Sequence, residues 1–276
     1  VQVVRSREEL RSALAALPRP LGLVPTMGWL HAGHRSLISR ARDECRAVAV
    51  SIFVNPRQFD DPADLERYPR GEARDLALCA EAGADLVWVP AVDDVYPPGF
   101  DTSVRVERLT LPLEGAARPG HLVGVTTVVA ILFGVVRPDR AYFGEKDGQQ
   151  LRVIDRMARD LHLTEVIGCP TVREPDGLAL SSRNVHLAAE DRAAAPIIRR
   201  ALLAGRAAWA DGERAAEEIR GRVGDVLATE PRALVEYVSC ADDTTLDELE
   251  RIEGPALLSL AVRFGTTRLV DNIRIG

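Results

Sequence analysis

Pro25-Thr26-Met27-Gly28-Trp29-Leu30-His31-Ala32-Gly33-His34 is the stretch whose reading decides the fold. Leu21 to Val24, just before it, is a short apolar run that predicts a buried strand. After it, Leu37, Ile38, Ala41 and Cys45 recur at helical spacing. Strand, glycine-bearing turn and helix in that order place the turn at the carboxyl edge of a parallel α/β sheet, where nucleotides bind. The helix start offers unpaired N–H groups and the positive end of a dipole, both suited to phosphate. His31 and His34, three residues apart, put two imidazoles on one helical face. Gly33 lacks a Cβ and lets a ligand approach the main chain. Phosphate contact is the favoured reading. Two others stay open: zinc ligation, which His-x-x-His alone does not complete, and two polar residues that merely begin a helix.

Working outward, the pattern repeats. Ser6 to Leu17 predicts a helix with Ser6 as N-cap and Glu9 placed for a capping box, closed by Pro18 and Pro20. Ala47 to Phe53 predicts a strand buried on both faces. It runs into Asn55-Pro56-Arg57-Gln58-Phe59, a loop at the same sheet edge as the histidines, where Gln58 can hydrogen-bond a substrate carboxylate or hydroxyl. Asp60 to Arg70, with Tyr68, is loop or short helix. Ala73 to Ala82 is a helix ending at Gly83. Asp75 in its first turn admits two readings, a hydrated cation or a complement to the helix dipole. Further strands are expected at Asp85 to Val89, Asp139 to Phe143 and Thr164 to Cys169, and an edge strand at Val104 to Glu107. Val92 to Gly99 reads as a loop. Arg118 and His121 lie in a small-residue loop that leads into the apolar helix Val123 to Val136. Arg118 suits a bidentate contact to phosphate or carboxylate, or a plain salt bridge.

The βα alternation stops after Cys169. Gly177-Leu178-Ala179-Leu180-Ser181-Ser182-Arg183-Asn184 is a loop whose hydroxyls and guanidinium suit phosphate, or simply cap a turn. Helical segments at Ala189 to Ala210 and Glu213 to Ala228, then strand-like runs at Val235 to Cys240, Leu257 to Val262 and Thr267 to Ile273, predict an α+β C-terminal domain. The expected division is residues 1–171 and 172–276.

Composition narrows the function. A formal net charge of -6 argues against a nucleic-acid surface. No apolar run is long and charge-free enough to span a bilayer, and Arg5, Arg7, Glu8 and Glu9 are unlike a secretory leader. The four cysteines are far apart with no Cys-x-x-Cys pair, as expected of reduced thiols in a cytosolic protein. Of 35 Lys and Arg residues, only Lys146 is lysine. In a chain that uses arginine wherever a cation suffices, that position calls for a compact ammonium. Asn55, Asn184 and Asn272 are the only asparagines, and each falls in one of the stretches singled out.

Taken together, PTMGWLHAGH, VSIFVNPRQF, RYPR with Asp75, LEGAARPGHLVGV, FGEKDGQQ, DGLALSSRN and TRLVDN resemble the pantoate–β-alanine ligases, in that family's order and over nearly the whole chain. The resemblance implies a Rossmann-like doubly wound parallel sheet with a smaller C-terminal α+β domain that closes as a lid. It implies a cytoplasmic homodimer using ATP and Mg²⁺. It assigns catalytic roles to His31, His34, Lys146 and Arg183. ATP contacts fall to Met27, His34, Gly144, Lys146, Asp147, Val172, Ser181, Ser182 and Arg183, and pantoate contacts to Met27, Gln58 and Gln150. Asn55, Tyr68, Arg118 and His121 match other active-site positions, and Asp75 one associated with Mg²⁺. The chain departs from the pattern at Trp29, at Gly148, which is expected to loosen the wall behind Lys146, and at Ala188, where a lost helix cap costs about 1 kcal/mol. The rival readings are another nucleotidylyltransferase acting on a phosphorylated substrate, and a nucleotide sensor without catalysis.

Overall fold

A computed structural model describes residues 1–276. The first strands and helices are β1 (Gln2–Val4), α1 (Arg7–Ala15), β2 (Leu21–Thr26), α2 (Ala32–Glu44), β3 (Ala47–Ile52), α3 (Pro62–Arg67), α4 (Glu72–Glu81) and β4 (Leu86–Trp88). Then come α5 (Val92–Val95), α6 (Glu114–Ala117), α7 (His121–Val136), β5 (Arg140–Gly144), α8 (Gly148–Asp160) and β6 (Glu165–Cys169). The six strands form one parallel sheet in the order β1-β4-β3-β2-β5-β6. From β2 the chain steps outward through β3 and β4, and from β5 it steps the other way, so the order reverses between β2 and β5. Ligands of doubly wound sheets bind beyond the strand ends at such a reversal.

Alternation along the strands assigns side chains to two cores. Leu21, Leu23, Ala47, Ala49, Leu86 and Phe143 pack with α1, α7 and α8. Val24, Val48, Val50, Val87 and Tyr142 pack with α2 and α4. Every residue of β3 is buried, which accounts for a sequence that is apolar but for Ser51. The Ser6–Glu9 capping box forms as expected. No helix is long and apolar enough to cross a membrane.

Residues 104–107 are not a strand. Thr126 Oγ1 donates to the Val104 carbonyl at 2.5 Å, and Thr127 Oγ1 accepts the Val104 N–H at 3.0 Å. Hydroxyls of α7 thus satisfy the main chain that a neighbouring strand would otherwise have paired, while Val104 and Val106 lie against the core. Val92–Val95, expected as loop, forms one helical turn.

The chain divides into two compact units, Val1–Gly144 with Gln150–Pro170, and Glu145–Gln149 with Thr171–Gly276. Residues 145–149 therefore group with the second unit and not with the sheet strand they follow. The second unit contains α9 (Ala189–Ala194), α10 (Ile197–Ala210), α11 (Ala216–Leu227), β7 (Leu234–Asp242), β8 (Ala256–Phe264) and β9 (Thr267–Ile275). Its antiparallel sheet has the order β7-β8-β9, and Ala194 of α9, Ile198 and Leu202 of α10, and Ile219 and Val223 of α11 share one core with Leu258 and Leu260 of β8. The single helix expected over Ala189 to Ala210 is two helices. Pro196 lacks an N–H and cannot continue a helix, so the break falls there.

Candidate active site

In the first unit, the candidate residues gather beyond the carboxyl ends of two neighbouring strands. Thr26 at the end of β2 pairs with Ile52 at the end of β3. Thr26 Oγ1 donates to the Ser51 carbonyl, and the Phe53 N–H to the Thr26 carbonyl, tying the two exits together. From β2 the chain passes through Met27 and a turn with Gly28 at φ 84° and Trp29 at φ 50°. Both oxygens of the buried Asp75 hold that turn: Oδ2 accepts the Trp29 N–H and Oδ1 the Leu30 N–H, each at 2.7 Å. The Arg74 guanidinium lies 4.7 Å from the Trp29 ring centre.

His31 then caps α2. Its Nδ1 accepts the Gly33 N–H at 3.1 Å, and His34 Nδ1 accepts the His31 N–H at 3.2 Å, with ring centres 4.1 Å apart. Each Nδ1 must supply a lone pair, so in the neutral ring the proton sits on Nε2. Two imidazoles at a helix N-terminus, both with an Nε2–H, make a donor pair for an anion. Neither Nδ1 is placed to bind a metal, and no group of three His, Cys, Asp or Glu side chains could hold one.

Beyond β3, Asn55 caps a 3₁₀ turn at Pro56–Gln58. Its Oδ1 accepts the Tyr96 hydroxyl at 2.7 Å and the Arg57 N–H at 3.2 Å. Its Nδ2 donates to Gln58 Oε1 at 2.9 Å and to the Gly124 carbonyl at 3.1 Å. With Oε1 engaged by Asn55, the Gln58 group that can meet a carboxylate or hydroxyl is its NH₂ donor. A Cβ on Gly124 would lie 2.1 Å from the Arg57 carbonyl oxygen, so only glycine lets α7 come this close to the turn. His121 Nδ1 lies 2.7 Å from the Gln58 carbonyl oxygen. Burial pushes the Tyr96 phenol up to about 12, against the opposing charge of Arg57, so it remains a neutral donor.

Arg118 is engaged as a salt bridge: its Nη2 and Nε lie 2.8 and 3.0 Å from Asp60 Oδ1. Burial pushes the Asp60 carboxyl up, but the hydrogen bond and charge of Arg118 outweigh it, leaving it below its ordinary value. Tyr68 is buried, edge-on to Phe59 at 5.6 Å. Gly144 ends β5, and Gln150 lies in the first turn of α8.

In the second unit, Lys146 Nζ lies 3.0 Å from Asp147 Oδ1. Asn272 Nδ2, on β9, donates to the carbonyls of Glu145 at 3.0 Å and Lys146 at 2.7 Å. Gly148 does not loosen this wall. A Cβ there would come within 2.9 Å of Asn272 Cγ, so the glycine is the space into which the asparagine packs. Val172 precedes a bridge between Arg173 and Ala179. Ser181 caps a 3₁₀ turn at Ser182–His186, its hydroxyl accepting the Arg183 N–H, and Ser182 is buried.

Each oxygen of Asp75 accepts one main-chain N–H inside the first unit, so the carboxylate serves the turn before α2. Sequence reasoning missed Tyr96, Asp60 and Gly124. No local pattern marks them, since each acts on a residue 41 or more positions away in the chain.

A parallel sheet with a β2/β5 reversal and polar side chains gathered past its strand ends defines an α/β protein of the doubly wound, nucleotide-binding class. A family model described as pantoate-beta-alanine ligase matches residues 2–274, and the chain belongs to that family, the ligases that form the amide bond of pantothenate. A protein of Chloroflexus aggregans named pantothenate synthetase is 56% identical over 275 residues, 99% of each chain. A pantothenate synthetase structure from Thermus thermophilus matches with a TM-score of 0.95 at 49% identity, over 99% of both chains. A pantoate-beta-alanine ligase structure from Francisella tularensis, complexed with beta-gamma ATP and beta-alanine, matches with a TM-score of 0.82 at 33% identity, over 99% of this chain and 97% of that one.

Proposed function

We propose that this chain activates pantoate with ATP and then transfers the acyl group to β-alanine. In the first step a pantoate carboxylate oxygen bonds to the α-phosphorus of ATP. The bond to the bridging oxygen breaks, and pyrophosphate leaves with the electron pair. In the second step the β-alanine nitrogen attacks the acyl carbon of pantoyl adenylate, AMP leaves, and the nitrogen gives up a proton. The family membership supports the reaction. The observation that carries the mechanism is the histidine cap of α2, whose Nδ1 atoms are spent on the main chain.

No protein nucleophile is needed. Catalysis of the first step rests on in-line positioning and on donors that meet charge as it spreads over phosphate oxygens. His31 and His34 supply Nε2–H donors, and the N-terminus of α2 adds its dipole. Lys146 and Arg183 supply fixed cations, and Ser181 and Ser182 supply hydroxyls to phosphate. Met27 with the Gln58 and Gln150 amides receives pantoate, and Gly144, Asp147 and Val172 contact the nucleoside. Asn55, Tyr68, Arg118 and His121 hold the Gln58 turn and its surroundings. The mixed anhydride hydrolyses in water, so a site closed to solvent is physically required. Mg²⁺, where it accompanies ATP, would offset the charge of the phosphates, and Asp75 is the residue that the family resemblance associates with it. We extend the reading to a cytoplasmic homodimer. The family resemblance supports both parts, the four buried free thiols favour a reducing compartment, and light scattering on the purified chain measures the mass.

The test is pantoate-dependent exchange of labelled pyrophosphate into ATP. Lys146→Ala is expected to lose at least about 100-fold in rate. An exchange rate equal to the parent's would remove Lys146 from the mechanism. Exchange driven by a phosphorylated alcohol and not by pantoate would favour the rival nucleotidylyltransferase reading.

A further inference from the structure

We infer that Asn272 is a positioning residue for Lys146, acting through the main chain of the lysine and not through its side chain; the inference rests on the role proposed for Lys146 above. Three observations carry it, all within the second unit. One amide nitrogen, Asn272 Nδ2, donates to two successive carbonyls, those of Glu145 and Lys146. Two hydrogen bonds from one planar NH₂ fix both the position and the tilt of the peptide that bears the lysine.

The asparagine is itself fixed from behind. Its main-chain N–H donates to Asp271 Oδ1 at 2.8 Å. Asp271 is buried and held by Arg173, whose Nη1 and Nη2 lie 2.6 and 2.9 Å from its two oxygens. Asn272 sits on β9, in register with Ser259 of the central strand β8. The lysine loop is therefore pinned to a strand paired along its length with β8, through a short side chain. Gly148 completes the arrangement, because a Cβ there would come within 2.9 Å of Asn272 Cγ and 3.0 Å of its Nδ2, so that something must shift.

A displacement of a catalytic group by about 1 Å costs on the order of 100-fold in rate. Loss of this anchor should therefore lower the rate of adenylate formation while leaving the KM for pantoate unchanged. The order of effects separates positioning from simple packing. Asn272→Asp keeps the shape but sets a carboxylate against two carbonyl oxygens, and is expected to lose about 100-fold. Asn272→Ala removes both donors without adding repulsion, and is expected to lose about tenfold. A packing role would give the reverse order, with aspartate close to the parent.

Because Lys146 is the only lysine, incorporation of lysine labelled at the carbonyl carbon gives one carbonyl resonance in the whole protein, and its oxygen is the acceptor of the Asn272 bond. Asn272→Asp and Asn272→Ala are expected to move that signal, and Gly148→Ala to move it in the same direction as Asn272→Ala. Gly148→Ala keeps residue 272 an asparagine and only crowds its amide, so it reports even if the Asn272 variants fail to fold. A signal unmoved in Gly148→Ala and in whichever Asn272 variant folds would overturn the inference, as would an Asn272→Asp variant that exchanges pyrophosphate as fast as the parent. An active Lys146→Ala variant would instead overturn the role of the lysine, while a moved carbonyl signal still established the contact.

Discussion

Asp75 Oδ1 accepts the main-chain N–H of Leu30 at 2.7 Å, across 45 residues of chain, while its other oxygen accepts the N–H of Trp29. These bonds hold the turn that delivers His31 and His34 to the start of α2. A carboxylate is the only side chain that offers two acceptors in this spacing. In Asp75→Asn the amide NH₂ must face one of the two N–H groups, leaving a buried donor unmet, which costs about 2–3 kcal/mol. Urea unfolding should show that loss, and pyrophosphate exchange should fall by about 100-fold as the histidines shift. Raising Mg²⁺ should restore nothing. Recovery at high Mg²⁺ would mean that Asp75 serves the ion after all.

Tyr96 supports Gln58 at one remove. Its hydroxyl donates to Asn55 Oδ1, and Asn55 Nδ2 in turn orients the Gln58 amide. Tyr96→Phe removes one hydrogen bond of about 1 kcal/mol. The KM for pantoate should rise about fivefold, with the KM for ATP unchanged. A change confined to ATP would put the pantoate pocket elsewhere.

Much of this was legible in the sequence, for identifiable reasons. Short apolar runs alternating with helical spacing announce a parallel sheet, because strands buried on both faces have no polar side. Ser6 and Glu9 announce their capping box because both partners lie within one turn. The misreadings have a common cause. Val104 to Glu107 alternates like a strand, but Thr126 and Thr127 satisfy it from more than 20 residues away. Asp75 does stand in the first turn of its helix, as read, but the turn that it clamps lies 45 residues away in the chain. Gly148 looks like slack until Asn272 is seen in its place. Periodicity reports which side of an element is buried; it does not report which distant polar group will arrive there.

The four cysteines should be inert in the folded protein. All are buried. Burial, with the Asp75 charge adding to it, pushes the Cys79 thiol up to about 12, and burial with the charge of Glu248 pushes Cys240 up to about 11. At pH 8 almost no thiolate is present at either. Iodoacetamide should add nothing to the native chain within an hour and four groups in guanidinium, as read by mass spectrometry. Rapid native labelling of Cys79 would contradict its packing against α2 and the sheet.

Glu236 gives the second unit an acid-sensitive brace. Burial pushes its carboxyl up, but hydrogen bonds and charge from Arg268 and Arg263 outweigh that and leave it below its ordinary value. A carboxyl depressed in the folded state adds stability above its unfolded pKa, and that stability fades as the pH falls through the folded value. Between about pH 5 and pH 3 the parent should therefore lose more Tm than Glu236→Gln does. Parallel Tm curves for the two proteins would remove the brace.

Ala188 marks a place where the chain has given up stability. It occupies the N-cap of α9 with φ -60° and ψ 155°, the extended geometry of a capping residue, and its carbonyl accepts the Arg192 N–H at 2.8 Å. No side-chain cap is present. In Ala188→Ser the backbone needs no adjustment, and the hydroxyl can accept one of the first-turn N–H groups, a gain of about 1 kcal/mol. Serine suits better than aspartate, because Glu190 and Asp191 already place two carboxylates in that turn and a third would oppose them. For a protein of this size, about 1 kcal/mol corresponds to roughly 2–4 °C in Tm. Calorimetry should show that rise in the transition that unfolds the second unit, with pyrophosphate exchange unchanged. A fall in Tm would mean that the methyl group of Ala188 contributes packing that the cap cannot replace.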